Sequence, residues 1–198
     1  MTGTVAGLVL AAGGSRRLGQ PKQLLPFAGR PLLDTVLDTA RSCGFDQLVV
    51  ALGGASDDVR AAVDLHGCDV VDNPGFGAGC SSSIAAALPA LERSTTVLVL
   101  LLGDQPGVSP DAVQRLLAGR GDAPLAVCRY DDGRGHPFAF GREMLPHLAA
   151  MHGDKAVWRL LDQHAAAVAE VTVPGAVPLN VNIADDYRQL LATSAPAR

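Results

Sequence analysis

The sequence predicts an α/β fold of three layers, in which a mostly parallel central sheet lies between two layers of helix. Two observations predict it. Short continuous Val/Leu runs alternate along the chain with longer Ala/Leu-rich amphipathic stretches, and strand–helix–strand repetition gives parallel pairing. The runs also lack a polar alternation, which suits strands covered by helices on both faces.

In chain order, the buried strands are expected at Val5 to Ala11, Gln47 to Leu52, Asp69 to Asp72, Val97 to Leu102 and Pro124 to Cys128. Between them, Leu32 to Cys43, Ser56 to Val63, Ser81 to Leu91 and Ser109 to Ala118 read as helices. Ser109 is placed to cap the last of these, with Pro110 at its first helical position. After Tyr130 the pattern changes. "YDDGRGHPFAFGREM" reads as a turn and a short strand. Helices follow around Arg142 to Ala150 and Lys155 to His164, then a strand near Val168 to Val173 and a closing helix from Ala184 to Ala192. With no internal repeat and no long linker, the 198 residues are expected to form one domain.

Composition narrows the function. A hydrophobic content of 48% with 18% charged residues fits a well-buried globular protein. The net charge of -4 argues against a broad basic face for nucleic acid or an anionic membrane, so neither is an expected partner. Cys43, Cys68, Cys80 and Cys128 form no CxxC pair and have no metal-type spacing with histidines. They read as free thiols of a reducing compartment, which makes a cytoplasmic location the expectation. The apolar runs Val5 to Ala12 and Val97 to Leu102 are too short to span a bilayer, and no basic region precedes the first.

Ligands of open α/β sheets sit at the carboxyl ends of the strands. The segments following the strands here are "AAGGSRRLGQPK", "GGAS", "NPGFGAGCSSS" and "GDQP". In the first, Gly13 and Gly14 let the backbone turn sharply and bring bare N–H groups to a ligand, while Ser15, Arg16, Arg17 and Lys22 add donors and positive charge. That suits a phosphate chain. The spacing is neither a Walker A loop nor the GxGxxG dinucleotide fingerprint. On composition alone, a tight strand-to-helix turn with solvated arginines is an equal reading. Asp104 ends the apolar run "TVLVLLLG", so its carboxylate stands at the end of a central buried strand and needs a partner. Magnesium, a hard cation that takes one or two protein oxygens and completes its shell with water and phosphate, is the natural one.

"LAAGGSRRLGQPKQLLPFAGRPLL" resembles the LAAGxSxRxGxxK signature of nucleotidyltransferases of the glycosyltransferase-A type. It is most similar to that of the MobA-like molybdenum cofactor cytidylyltransferases and guanylyltransferases. The likeness continues in order through "NPGFGAGCSSS", "GDQP", "RGHP", "GDKAVWRLL" and "NVNIADDYRQL". The resemblance implies a Rossmann-like nucleotide-diphospho-sugar transferase fold (GT-A type). It also implies a reaction in which an acceptor phosphate attacks the α-phosphate of a nucleoside triphosphate and pyrophosphate leaves. Such a transfer needs positioning and neutralisation of spreading charge more than covalent help. Arg17 as a bidentate clamp and Lys22 as a mobile point charge suit that task, with Asp104 as the metal carboxylate. Arg16, at a variable position of the signature, is expected to be solvated.

The resemblance assigns nucleotide binding to Ala11, Ala12, Gly13, Gly14, Ser15, Arg17, Lys22, Asn73, Gly79 and Ser81. Gly79 and Ser81 would recognise the base, with Ala11 and Ala12 reading its other edge by backbone. LAAG in place of the guanylyltransferases' LAGG favours CTP over GTP. Cofactor-transferring members carry Asp-x-Asp before the last helix, where this chain has Asn180, Val181 and Asn182. On a strand over Leu179 to Ile183 the two asparagines would share a face, and their amide oxygens would ligate magnesium more weakly than carboxylates. Asp185 and Asp186 read instead as favourable charge in the first turn of a helix.

Gly135, His136 and Asp154 align with the acceptor-binding side. His136 is either an acid–base group or a histidine holding a turn, Asp154 equally a cap for the helix that follows, and Trp158 a core residue that departs from the family's "GDxGAR". On this reading 1–129 binds nucleotide, 130–192 holds the acceptor and metal sites, and 193–198 is a frayed tail. The acceptor is expected to be of molybdopterin type, with a molybdoenzyme as a further partner. Other outcomes on the same fold are a sugar- or alcohol-phosphate acceptor, a nicotinamide-dependent oxidoreductase, and a non-catalytic nucleotide-binding partner in molybdoenzyme maturation.

Overall fold

A computed structural model describes residues 3–15 and 18–194. The chain begins with β1 (Thr4–Ala11), whose side chains are apolar on both faces. A loop and the small hairpin β2 (Pro26–Phe27) and β3 (Arg30–Pro31) lead to α1 (Leu32–Ser42). Then come β4 (Gln47–Leu52), α2 (Ser56–Ala62), β5 (Asp69–Asp72), α3 (Cys80–Ala87), β6 (Thr95–Leu102) and α4 (Pro110–Arg120). The remainder is β7 (Leu125–Tyr130), β8 (Gly133–Gly141), α5 (Leu145–Ala149), α6 (Ala156–Gln163), β9 (Val168–Thr172) and α7 (Ala184–Ser194). Two residues of the expected frayed tail, at 193–194, therefore belong to α7, and 195–198 lie outside the described residues.

Seven strands form one sheet in the order β5-β4-β1-β6-β8-β7-β9. Only β8 is antiparallel to its neighbours; β1 pairs in parallel with β4 and β6, β4 with β5, and β7 with β9. Alternation along each strand sends side chains to opposite faces. Val9, Val50 and Val99 meet Leu32, Leu37, Val113 and Leu116 of α1 and α4 on one face. Leu8, Val49 and Leu100 meet Ile84, Leu148 and Leu160 of α3, α5 and α6 on the other. Each fully buried leucine contributes about 2 kcal/mol to this three-layer packing. Ser109 caps α4, its Oγ accepting from the Ala112 N–H at 3.2 Å.

β8 departs from the short strand expected after Tyr130 and runs over nine residues. The glycines and proline of "GRGHPFAFG" signal a turn, yet the register shifts beside them: Val127 pairs with Phe138 and Cys128 with Gly135. His136 and Pro137, joined by a cis peptide, thus fall in a bulge, where a residue without an N–H leaves no ladder bond unmade.

Candidate active site

A cleft of about 550 Å³ opens at the carboxyl ends of the strands. Its walls are the loop after β1 (Ala12, Gly13, Gly14, Ser15), the start of α3 (Gly79, Cys80, Ser83) and the Asn180 and Asn182 segment, with Lys22 and Asp104 between them. The loop holds its shape through the residues just beyond it. Ser15 Oγ accepts the Lys22 N–H at 2.9 Å. Gln23, 2% exposed, donates its carboxamide to the Ala11 and Gly13 carbonyls. Two carbonyls are thereby turned inward, away from a phosphate.

Asp104 follows β6 and is 7% exposed. Its carboxylate makes a direct ion pair with Lys22 Nζ, bringing together two residues 82 apart in sequence. The Asp104 carbonyl accepts the Val181 N–H at 3.0 Å. That bond, with Val181 fully buried, pins the chain so that Asn180 and Asn182 flank the anchor at the cleft. The segment is irregular rather than the strand that a shared face required. Asn180 Oδ1 is buried without a hydrogen-bond partner, a loss of about 1–3 kcal/mol unless something binds it. In a cleft also lined by Asp104 and Asn182, that orphaned amide oxygen adds to an all-oxygen donor set of the kind that fits a hard divalent cation. No group of three or more His, Cys, Asp or Glu residues able to hold a metal occurs among the described residues, so a cation here would be held by Asp104 with the two asparagines.

The structure redistributes several expected site residues. Arg17, with Arg16, lies outside the described residues. Ala11 is buried in β1, with its carbonyl taken by Gln23. Asn73 is 4% exposed and faces inward: its Nδ2 donates to Ser82 Oγ at 2.9 Å and Ser83 Oγ at 3.0 Å, and its Oδ1 accepts the Gly75 N–H at 2.9 Å. Ser81 is buried outside the cleft lining, whereas Cys80 and Ser83, three residues apart and so on one helix face, both line it. Ser83 accepts from Asn73 and donates to no described residue, which leaves its hydroxyl hydrogen for a ligand acceptor.

Asp154 also lines the cleft, but caps α3 rather than the helix after it, Oδ1 accepting the Cys80 N–H at 3.2 Å. Gly135 and His136 lie in β8 and do not line the cleft. The His136 ring stacks on Phe138 with centroids 4.0 Å apart, and Phe138 meets Trp158 edge-on at 5.1 Å. Burial holds the imidazole down to about 3, so it is neutral near pH 7 and serves packing better than proton transfer. Asp186 accepts the Asn182 and Ile183 N–H groups at 2.8 and 3.0 Å, and Asp185 pairs with Arg188, as charges in a helical first turn should.

Phe76 is the wall that sequence reasoning missed. It is the aromatic residue of "NPGFGAG", seated on three glycines. A Cβ at Gly54 would approach its ring to 2.7 Å, one at Gly53 its Cβ to 2.8 Å and one at Gly14 its ring to 3.1 Å. Glycines after two of the strands, β1 and β4, around one bulky side chain were the available signal. A second hollow, of about 460 Å³, lies at the opposite, amino ends of β4 and β5. Its Gln47 carboxamide is already engaged by Asp69, Ala90 and Glu92, so it offers no comparable set of free groups.

Likeness to known proteins gives the family. The family model for the MobA-like NTP transferase domain matches residues 7–168. The chain is 33% identical over 154 residues to nicotine blue oxidoreductase of Paenarthrobacter nicotinovorans, covering 74% of this chain and 75% of that protein. It is 41% identical over 138 residues to the bifunctional protein GlmU of Halorhodospira halophila, covering 69% of this chain and 28% of that longer protein. Among solved structures, an Rv0371c homologue from Mycobacterium sp. strain JC1 superposes with a TM-score of 0.90 at 49% identity over 96% of each chain. Rv0371c of Mycobacterium tuberculosis in complex with manganese superposes with a TM-score of 0.87 at 45% identity, covering 96% of this chain and 99% of that one. The chain therefore belongs to the MobA-like NTP transferase family and is a nucleotidyltransferase of that family.

Proposed function

We propose that the protein transfers a nucleoside monophosphate, CMP in preference to GMP, from the triphosphate to a phosphorylated acceptor of molybdopterin type. An acceptor phosphate oxygen forms a bond to the α-phosphorus, the bond from that phosphorus to the bridging oxygen of the β-phosphate breaks, and pyrophosphate departs. The observation that carries this reading is the meeting of Lys22 and Asp104 on the floor of the cleft, between the glycine loop and α3. The bare N–H groups of Gly13 and Gly14 cradle the phosphates, Lys22 neutralises charge on the α-phosphate and the departing pyrophosphate, and Arg17 clamps phosphate oxygens. Gly79 and Ser83 recognise the base together with Ala12, while Ala11, Asn73 and the buried Ser81 hold those elements in place. Asp104, Asn180 and Asn182 would hold magnesium, which when bound supplies Lewis-acid neutralisation of the triphosphate. Gly135, His136 and Asp154 are assigned to the acceptor side, with Asp154 nearest the cleft.

The test is pyrophosphate release from CTP and from GTP, each with magnesium and a molybdopterin acceptor. CTP should be the better donor, and Asp104→Asn should abolish release. No release with any triphosphate would refute the transferase reading for this chain and leave the role of a non-catalytic nucleotide-binding partner in molybdoenzyme maturation. Two other readings stand beside it: a sugar- or alcohol-phosphate acceptor, and nicotinamide-dependent redox chemistry in the same cleft, for which the likeness to an oxidoreductase, nicotine blue oxidoreductase, is the support. Replacing the acceptor with sugar phosphates, and following nicotinamide oxidation in place of pyrophosphate, separates them.

A further inference from the structure

Lys22 and Asp104 are each fixed at the base. The Lys22 backbone N–H is held by Ser15 Oγ, and its neighbour Gln23 is buried and bonded to the glycine loop. Asp104 is held through its carbonyl by Val181. Between them, the flexible four-carbon lysine stem can swing. That stem lies along the phosphate cradle, since a Cβ on Gly13 would come within 3.3 Å of Lys22 Cε. The ammonium rests on the carboxylate, and both side chains are largely withdrawn from water, at 19% and 9% exposure. One of the two carboxylate oxygens, Oδ2, is thus already taken by a cation, while Asn180 Oδ1, on a residue lining the same cleft, stays buried and unpartnered.

A monovalent and a divalent cation crowded onto one carboxylate repel strongly where water is scarce. The metal can take Asp104 only once the ammonium has another anion to go to, and a triphosphate along the Gly13 and Gly14 backbone provides one. We infer that Lys22 is a counter-ion latch, which closes Asp104 against a divalent cation in the nucleotide-free protein and is released by the triphosphate. Metal and nucleotide then bind in a coupled way, and the nucleotide-free protein is kept from holding a metal unproductively. The inference rests on the proposed metal role of Asp104.

The test is Mn²⁺ binding to the nucleotide-free protein, followed by the spin-resonance signal of free Mn²⁺ and by the Mn²⁺-induced rise in Tm. The wild type is compared with Lys22→Met, Lys22→Arg and Asp104→Asn. Removing the ammonium should tighten Mn²⁺ binding about tenfold in Lys22→Met and enlarge its Tm rise, within the usual range of coupling between sites. Lys22→Arg, which keeps the charge, should bind Mn²⁺ as weakly as the wild type, and Asp104→Asn should not bind it. If Asp104→Asn loses Mn²⁺ but Lys22→Met binds no more tightly than the wild type, the latch is overturned and the metal site stands. If Asp104→Asn keeps full Mn²⁺ affinity, the metal reading falls and the latch with it.

Discussion

Asn73→Ala removes a side chain that touches no ligand, yet holds the wall of the cleft. Three hydrogen bonds are lost: Nδ2 to Ser82 Oγ at 2.9 Å, Nδ2 to Ser83 Oγ at 3.0 Å, and the Gly75 N–H to Oδ1 at 2.9 Å. At 4% exposure, water does not readily replace them. At about 1 kcal/mol each, the variant should be destabilised by about 3 kcal/mol. For a chain of this size that lowers Tm by roughly 6–12 °C. Urea unfolding and a thermal melt measure it. Asn73→Asp separates positioning from mere stability. It keeps the acceptor for Gly75 but draws the Ser83 hydroxyl hydrogen inward, so it should melt closer to the wild type while binding nucleotide more weakly. If Asn73→Ala unfolds within about 0.5 kcal/mol of the wild type, the span of an ordinary surface substitution, the inward role assigned to Asn73 is wrong.

Gly79→Ala places a Cβ 2.7 Å from Asp154 Oδ1 and 2.9 Å from the Asp154 backbone at a φ of +99°. Strain of about 1–3 kcal/mol is expected, with a raised KM for the triphosphate; an unchanged KM and Tm would show that α3 and Asp154 do not meet this closely. The His136 imidazole sits at about 3 in the folded chain against 6.5 when free. The unfolded state therefore takes up a proton that the folded state refuses, and stability, full above pH 6.5, should fall as pH drops toward 3. The slope is at most about 1.4 kcal/mol per pH unit and smaller for the partial exposure of this ring; urea titrations of His136→Gln should show it flattened, and an identical slope would remove His136 as its source. Cys43 and Cys128 are buried, with thiols pushed up to about 11 and about 12, and should stay unlabelled by maleimide in the native protein. Cys80 lines the cleft, so CTP should slow its labelling without slowing that of Cys68; equal protection of both would place the nucleotide elsewhere.

Where the signal was a continuous apolar run, the sequence was sufficient. The strand β4, all six of whose residues are buried, begins and ends as expected, and so does the edge strand β5, whose two valines lie between exposed aspartates. β8 was underread for the opposite reason: Gly135 and Pro137 carry the local signature of a turn, and only pairing with β7 shows that Gly135 stays in the ladder and a bulge absorbs Pro137. The site divides in the same way. Lys22 and Asp104 sit at the ends of recognisable segments, and the cleft brings them together. The choice between Ser81 and Ser83 depended on the rotation of α3 about its axis, which three consecutive serines do not encode. Phe76 depended on a contact among loops after different strands, a relation no local pattern contains.

The asparagines at 180 and 182 change the electrostatics of the cleft without emptying it of donors. With two further carboxylates beside Asp104, one ammonium could not neutralise the floor, and a divalent cation would be attracted whether or not nucleotide was present. With amide oxygens instead, Lys22 balances Asp104, and the buried Asn180 oxygen is left unbonded but uncharged. The substitution that weakens the metal site is therefore the one that makes a lysine latch sufficient: the charge missing from Asn180 and Asn182 must be supplied by the triphosphate. On this chemistry, restoring a carboxylate at 182 should strengthen metal binding most when nucleotide is absent. It should thereby loosen the coupling between the two ligands, rather than simply raise turnover.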